Sequence, residues 1–187
     1  RSASPGGAGP REMGLDAVLG RRPQVAVVDE LAHTDLPGGR NEKRWQDVEE
    51  LVAAGITVLT TLNVQHLESL NDTVERITGI AERETIPDAV VRAADQVDLV
   101  DVAPDQLRRR LARGDIYPPE RIDATLAHLF REGNLTALRE LALLWLADRV
   151  DEELLEYMAR HEIRGPWETR ERVVVALSGQ ESNRHLI

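Results

Sequence analysis

Residues 25–30 form an apolar run that ends in two carboxylates, and this run limits the possible folds of the chain more than any other segment. The run holds four apolar residues, three of them valines, which is typical of a buried strand in a parallel sheet. A buried charge is costly unless it is paired or binds a metal, so the acids are expected at the carboxyl end of the strand. In α/β proteins this edge binds ligands. Asp29 and Glu30 are therefore candidate ligand-binding residues, the alternative being solvated acids without a ligand.

The flanking residues extend this strand into an alternation of helices and strands. Apolar spacing predicts a helix over residues 13–19 that ends at Gly20, and a second, amphipathic helix over residues 44–54. The β-branched segment 56–62 predicts a second parallel strand. The sequence therefore predicts an α/β fold, with a parallel sheet flanked by helices.

Polar residues follow both predicted strands. Asn63 comes directly after the second strand and before a helix predicted over residues 64–77. It suits an N-cap, and P-loop ATPases often place a sensor of the γ-phosphate at the matching position. The two roles are compatible. His33 and Thr34 begin a Gly/Pro-rich loop after the first strand, which is either a functional loop or a plain surface connection.

Three cations lie just beyond that loop, at Arg40, Lys43 and Arg44. They are candidates for contacts to phosphates or to a partner, and the alternative is a solvated first turn of the following helix. Lys43 is the only lysine, and it lies after the acidic strand rather than in a phosphate loop. An ordinary ATPase or kinase active site is therefore not predicted.

The second half of the chain is predicted to be mainly helical. The expected elements are a short helix at 89–94, a third strand at 96–102, a helix at 104–113, another from residue 118 that breaks at Gly133-Asn134, and a long helix at 135–157. The leucine stripe of the long helix is interpreted as core. Residues 160–169 resemble an interdomain linker, and residues 172–178 are predicted as a further strand.

Composition and charge exclude several functions. The net charge is -10 and the pI is about 5.0, which argues against binding nucleic acids or anionic membranes non-specifically. The absence of cysteine excludes disulfides and thiolate metal sites. The histidines show no paired metal-ligand spacing. No apolar run approaches the length of a membrane span, so a soluble chain is expected.

A P-loop is not predicted in this chain. Such a loop needs the pattern G-x-x-x-x-G-K-[ST] between a strand and a helix. The glycines between Gly6 and Gly9 have no lysine after them and no strand before them. Residues 1–12 are instead expected to be disordered.

Three long motifs resemble the KdpD family of osmosensitive potassium-sensor histidine kinases. They are VVDELAHTDLPG at 27–38, KRWQDVEEL at 43–51 and TTLNVQHLESLND at 60–72, and the segments 130–135, 137–142 and 147–151 are similar too. The resemblance covers about residues 14–157. It implies a P-loop-NTPase-like α/β domain, incomplete here because the Walker A loop is missing, with a helical C-terminal part. The implied boundaries are a disordered segment at 1–12, the sensor domain at 13–159, and at 160–187 a linker with the first strand of a universal-stress-protein-like domain.

The resemblance also implies a function. The parent would be an inner-membrane two-component sensor, and this chain part of its cytoplasmic regulatory region, which adjusts phosphorelay signalling that controls potassium uptake. Its partners would be the remaining kinase domains, the cognate response regulator and a second copy of itself. No nucleic acid is expected among them. By motif position Asp29 and Glu30 would be Walker B acids, with Asp29 ordering the Mg²⁺ of Mg-ATP and Asn63 reading the phosphate. Without a P-loop, ATP binding is expected to be weak or absent. The alternative is an interaction or dimerisation module that binds no nucleotide.

Overall fold

The computed structural model describes residues 12–118, 122 and 124–163. The chain divides into two units, which meet at Arg149 and Val150. The described elements, in chain order, are α1 (Leu15–Arg21), β1 (Val25–Val28), α2 (Arg44–Ala53), β2 (Thr57–Thr60), two 3-10 turns (Val64–His66 and Glu68–Leu70), α3 (Asn71–Thr78), α4 (Asp88–Arg92), α5 (Pro104–Ala112), α6 (Ala124–Leu129) and α7 (Glu132–Arg160).

The sheet in the described residues consists of β1 and β2, which pair in parallel with Val25 opposite Thr57 and Val28 opposite Thr60. Helix α2 connects them, as parallel strands require. Gly55 ends this crossover with a φ of +80°, a left-handed conformation that favours glycine. The α/β class and the parallel pairing are confirmed, whereas the finer P-loop-NTPase-like assignment and the domain boundaries stay predictions.

Two apolar clusters hold the first unit together. One joins α1, β1 and α2 through Leu15, Val28, Leu51 and Ile56. The other lies after the strands and contains Leu31, Ala32, Leu67, Ile86 and Val91. Leu51 and Ile86 are fully buried in these clusters, with no exposed surface. The clusters therefore fix the segment after β1 from both sides.

The first strand is parallel as predicted but is not buried along its length. Side chains alternate between the faces of a strand, and only Val28 of β1 is buried. Val25 and Val27 are 51% and 79% exposed, and Leu59 of β2 is 58% exposed. One face of the strand pair is thus open in the described part of the chain.

The predicted third strand at 96–102 is wrong, because these residues form no strand. Their alternation reflects other contacts: Val97 packs on the second cluster, while Asp101 pairs with Arg139. Val100 is 84% exposed. An alternating pattern needs neighbouring strands to become a sheet, and no strand among the described residues pairs with this segment.

The helix predicted over 64–77 is interrupted. Leu67 adopts an extended conformation and forms a parallel bridge with Ile86, with Ile86 N donating to His66 O at 2.8 Å and Glu68 N donating to Ile86 O at 3.1 Å. This bridge leaves two 3-10 turns before α3. Asn63 does precede the first turn, but its side chain makes no capping hydrogen bond.

The predicted helix break at Gly133-Asn134 falls three residues too late, since both residues belong to α7. The interruption lies at Phe130 and Arg131. Asn134 instead donates from Nδ2 to the carbonyl of His128 at 2.9 Å, which satisfies a carbonyl near the end of α6. The segment expected to be disordered, apart from residue 12, and the strand predicted at 172–178 lie outside the described residues.

Candidate functional site

The carboxyl ends of β1 and β2 lie side by side because the strands are parallel. Asp29 Oδ1 accepts hydrogen bonds from the hydroxyl of Thr61 and from the backbone N–H of Glu30, the latter at 3.1 Å. Leu31 N donates to Thr61 O at 2.9 Å. Thr61 therefore holds the Asp29 carboxylate at the edge of the sheet.

Glu30 turns the chain sharply at this edge. Its φ is +55°, a left-handed conformation that costs a non-glycine residue on the order of 1 kcal/mol. The turn sends Leu31 and Ala32 into the second apolar cluster, where they are 6% and 2% exposed. His33 N then donates to Glu30 O at 3.0 Å. The turn at Glu30 thus directs the following loop across the strand ends.

The strand ends enclose a cleft of about 200 Å³. Three of the predicted residues after the strands, Asp29, Glu30 and Asn63, line it together with His33. The full lining is Asp29, Glu30, Leu31, Ala32, His33, Thr61, Leu62, Asn63, His66 and Glu84. Thr34 does not line the cleft; its backbone N donates to Glu84 Oε1 at 3.0 Å and so fixes the carboxylate that does.

The three predicted cations contact other protein groups rather than the cleft. Arg40 pairs with Asp16 and, at 2.6 Å, with Glu50. Lys43 Nζ donates to Thr34 Oγ1 at 2.7 Å.

Arg44 contacts the backbone of Asp29, a residue that lines the cleft. It donates from Nη1 to the carbonyl of Asp29 at 3.0 Å and from Nη2 to Glu12 Oε2 at 2.9 Å. Its side chain is only 12% exposed, so it does not belong to a solvated helix turn.

The lining of the cleft suits a cation better than a nucleotide. It carries the carboxylates of Asp29, Glu30 and Glu84, and no lysine or arginine appears among the described lining residues. Carboxylate oxygens are the ligands that Mg²⁺ takes from proteins. A triphosphate would need cations or a backbone N–H cradle, and ligand pockets usually measure roughly 300–1,000 Å³. Asp29 fits the metal part of Mg-ATP, whereas the phosphates lack a described binding surface.

Sequence reasoning missed four residues around this edge: Glu12, Asp35, Thr61 and Glu84. Thr61 lies inside the predicted second strand. Its only sequence signal is that it is polar and belongs to the strand next to the acidic one. Glu84 is 50 residues from its partner Thr34, so no local pattern points to it. Glu12 and Asp35 meet Arg44 through tertiary contacts at 2.9 and 3.6 Å.

Asp35 is the most perturbed of these groups. Its side chain is 9% exposed, and neither carboxylate oxygen accepts a hydrogen bond. Burial raises the pKa of Asp35 above its ordinary value of 3.8, and the nearby charge of Asp47 adds to the increase, while Arg44 opposes it. The folded state therefore binds a proton at Asp35 more tightly than the unfolded state does.

The Asp35→Asn change is expected to stabilise the metal-free protein at pH 7 and to have much less effect near pH 3.5. A raised folded-state pKa means that stability falls as the pH rises from the unfolded pKa through the folded one, and asparagine removes this loss. Urea unfolding in EDTA at both pH values measures the difference. The exposed Asp95→Asn variant controls for the loss of one negative charge. An equal destabilisation of Asp35→Asn at both pH values would contradict the expectation.

Comparison with known proteins identifies the family. Residues 2–150 match the model of the family described as "KdpD: Osmosensitive K+ channel His kinase sensor domain". The chain belongs to the KdpD sensor-domain family. Proteins named "Sensor protein KdpD" from Mycobacterium tuberculosis (strain ATCC 25618 / H37Rv) and Escherichia coli (strain K12) are 60% and 49% identical over 94% of this chain. The protein of the same name from Rathayibacter rathayi is 59% identical over 90% of this chain.

The KdpD resemblance seen in the motifs is thereby confirmed. The chain spans about 20% of the length of these relatives. Within the described residues, none of the helices combines the length and apolar character needed to cross a bilayer.

Proposed function

We propose that this chain is the cytoplasmic regulatory region of an inner-membrane, two-component sensor histidine kinase that responds to potassium or osmotic stress. It would adjust the phosphorelay from the kinase domains to a response regulator that controls potassium uptake. The KdpD match over residues 2–150 supports the sensor role. Because the chain spans about 20% of its relatives, the kinase chemistry itself is assigned to domains elsewhere in the parent.

We further propose that the cleft is the metal side of a Mg-nucleotide site. The observation that carries this proposal is the meeting of Asp29, Glu30 and Asn63 around one cleft at the carboxyl ends of parallel strands. Asp29, held by Thr61, would order the Mg²⁺ shell, and Asn63 would contact the phosphate. Most of the phosphate cradle would come from a P-loop, whose backbone N–H groups supply it.

Mg-ATP is accordingly expected to bind this chain alone with a Kd on the order of 1 mM or weaker. A version extended by a strand, a P-loop and a helix is expected to bind at least roughly tenfold more tightly. Asp29→Asn should weaken the extended version and barely alter the chain alone. Isothermal titration calorimetry measures all four affinities. Equally tight binding by the chain and by its extended version would refute the proposal that Asp29 orders the Mg²⁺ while a P-loop supplies most of the phosphate contacts.

The open strand face favours a second candidate, an interaction or dimerisation module. Parallel sheets are normally covered on both faces, yet Val25, Val27 and Leu59 are more than half exposed. These side chains could pack on another domain of the kinase or on a second copy. Light scattering separates the candidates, since a strict monomer without affinity for the kinase domains would count against this one.

A further inference from the structure

A second polar cluster lies behind the cleft, where the residues before α1 approach the loop after β1. Glu12, His33 and Asp35 each direct one potential metal-ligand atom into it, and these atoms all lie within 4.8 Å of one another. The closest pair is His33 Nε2 and Glu12 Oε1, at 3.2 Å. Segments 21 residues apart in the sequence thus bring an imidazole and two carboxylates to one point.

Asp35 shows that this cluster is incomplete. Its side chain is more than nine-tenths buried, and neither oxygen accepts a hydrogen bond. Its one described cationic neighbour, Arg44 Nη2, is 3.6 Å from Oδ1. Buried carboxylates are normally hydrogen-bonded, paired or bound to metal. The position therefore calls for a cation or a proton.

The surrounding groups orient the cluster as the outer partners of a metal site do. Glu12 uses Oε2 to accept from Arg44 at 2.9 Å, which turns Oε1 toward His33. On the other side of the imidazole, His33 Nδ1 lies 3.6 Å from Glu84 Oε1, which is itself held by the backbone N–H of Thr34. Metal-bound histidines usually have such a carboxylate at their second nitrogen, because it fixes the ring and its tautomer.

We propose that Glu12, His33 and Asp35 bind a divalent transition metal ion of the Zn²⁺ class. One imidazole and two carboxylates suit Zn²⁺, whereas Mg²⁺ prefers oxygen ligands alone. The carboxylates of Glu12, Asp35 and Glu84, against the single guanidinium of Arg44, leave a net charge of −2 that a divalent ion balances. Ligand atoms at about 2.0–2.2 Å from one ion lie roughly 3–3.5 Å apart, so the side chains close by about 1 Å on binding.

Such an ion would join the chain before α1 to the wall of the cleft. Glu12 precedes α1, and His33 also lines the cleft. Binding would therefore stabilise the fold and fix the His33 side of the cleft, independently of any nucleotide at Asp29.

The test is a calorimetric titration of the EDTA-stripped chain with ZnCl₂, combined with thermal unfolding. One equivalent of Zn²⁺ is expected to bind with a Kd in the micromolar range or below and to raise the Tm, and millimolar Mg²⁺ should not displace it. His33→Gln and Asp35→Asn should weaken Zn²⁺ binding at least roughly a hundredfold, and Glu84→Gln about 10–100-fold. His161→Gln, at an exposed histidine outside the cluster, should bind as the parent chain does.

Circular dichroism checks that each variant folds, and Glu12→Gln replaces any variant that does not. The proposal is overturned if the parent chain binds no stoichiometric Zn²⁺, or if the cluster variants bind as tightly as His161→Gln. It is also overturned if Asp35→Asn stabilises the chain equally with and without Zn²⁺, because Asp35 would then hold only a proton. None of these results depends on ATP, so the nucleotide proposal is tested separately, by the Mg-ATP titration.

Discussion

The Leu51→Ala variant is expected to lose about 3 kcal/mol of unfolding free energy, within the range of roughly 2–5 kcal/mol for buried leucines. Leu51 has no exposed surface and packs between α1 and the strands with Leu15, Val28 and Ile56. Truncation leaves a cavity that rigid neighbours on three elements cannot fill. Urea unfolding monitored by circular dichroism measures the loss.

The next residue on the same helix provides the matched control. Val52 is 56% exposed, so Val52→Ala is expected to change stability by less than about 1 kcal/mol. Both changes shorten an apolar side chain in α2 and differ chiefly in burial. Similar losses from the two variants would contradict the placement of Leu51 at the centre of this cluster.

The Arg149→Ala variant is expected to lose about 2–4 kcal/mol. Arg149 is 8% exposed and donates from Nη1 to Val91 O at 2.8 Å and from Nη2 to Ala94 O at 2.7 Å. Hydrogen bonds from a charged group contribute roughly 1.5–3 kcal/mol, and removing the donor leaves carbonyls near the end of α4 without these bonds. Thermal or urea unfolding of the purified variant measures the loss.

An arginine on the exposed side of the same helix is the control. Arg139 pairs with Asp101, and the two side chains are 43% and 39% exposed. Surface ion pairs contribute little, so Arg139→Ala should cost less than about 1 kcal/mol. Arg149→Lys should recover only part of the loss, since lysine keeps the charge but not the planar fork. Equal costs for Arg139→Ala and Arg149→Ala would show that Arg149 does not secure α7 to α4.

The local elements could be predicted from the sequence because local signals determine them. The parallel pair follows from two apolar β-branched runs with an amphipathic helix between them, and Pro104 marks the start of α5. The failures came from contacts between distant residues. Leu67 leaves the helical path to pair with Ile86, 19 residues away, and residues 96–102 alternate without a neighbouring strand.

The candidate site also combines residues that the sequence could predict with residues that only tertiary contacts bring there. Asp29, Glu30 and Asn63 were predicted at one edge because parallel strands end together, and the structure brings all three to one cleft. The neighbouring sequence does not reveal the role of Arg44, because its partner Glu12 lies 32 residues earlier. No sequence signal marks Asp35, which is distinguished only in the structure, by its burial and by its two oxygens without hydrogen bonds.

The proposed function implies that the Asp29–Glu30 edge regulates the parent kinase. It is tested most directly in the Escherichia coli sensor protein with its matching segment, 49% identical, replaced by this chain. We expect potassium-dependent phosphorylation of the response regulator by this chimera, and at least a severalfold smaller potassium response after Asp29→Asn with Glu30→Gln. Glu49→Gln, an exposed acid on α2, should respond as the unmodified chimera does. An unchanged potassium response in the Asp29/Glu30 variant would contradict the account.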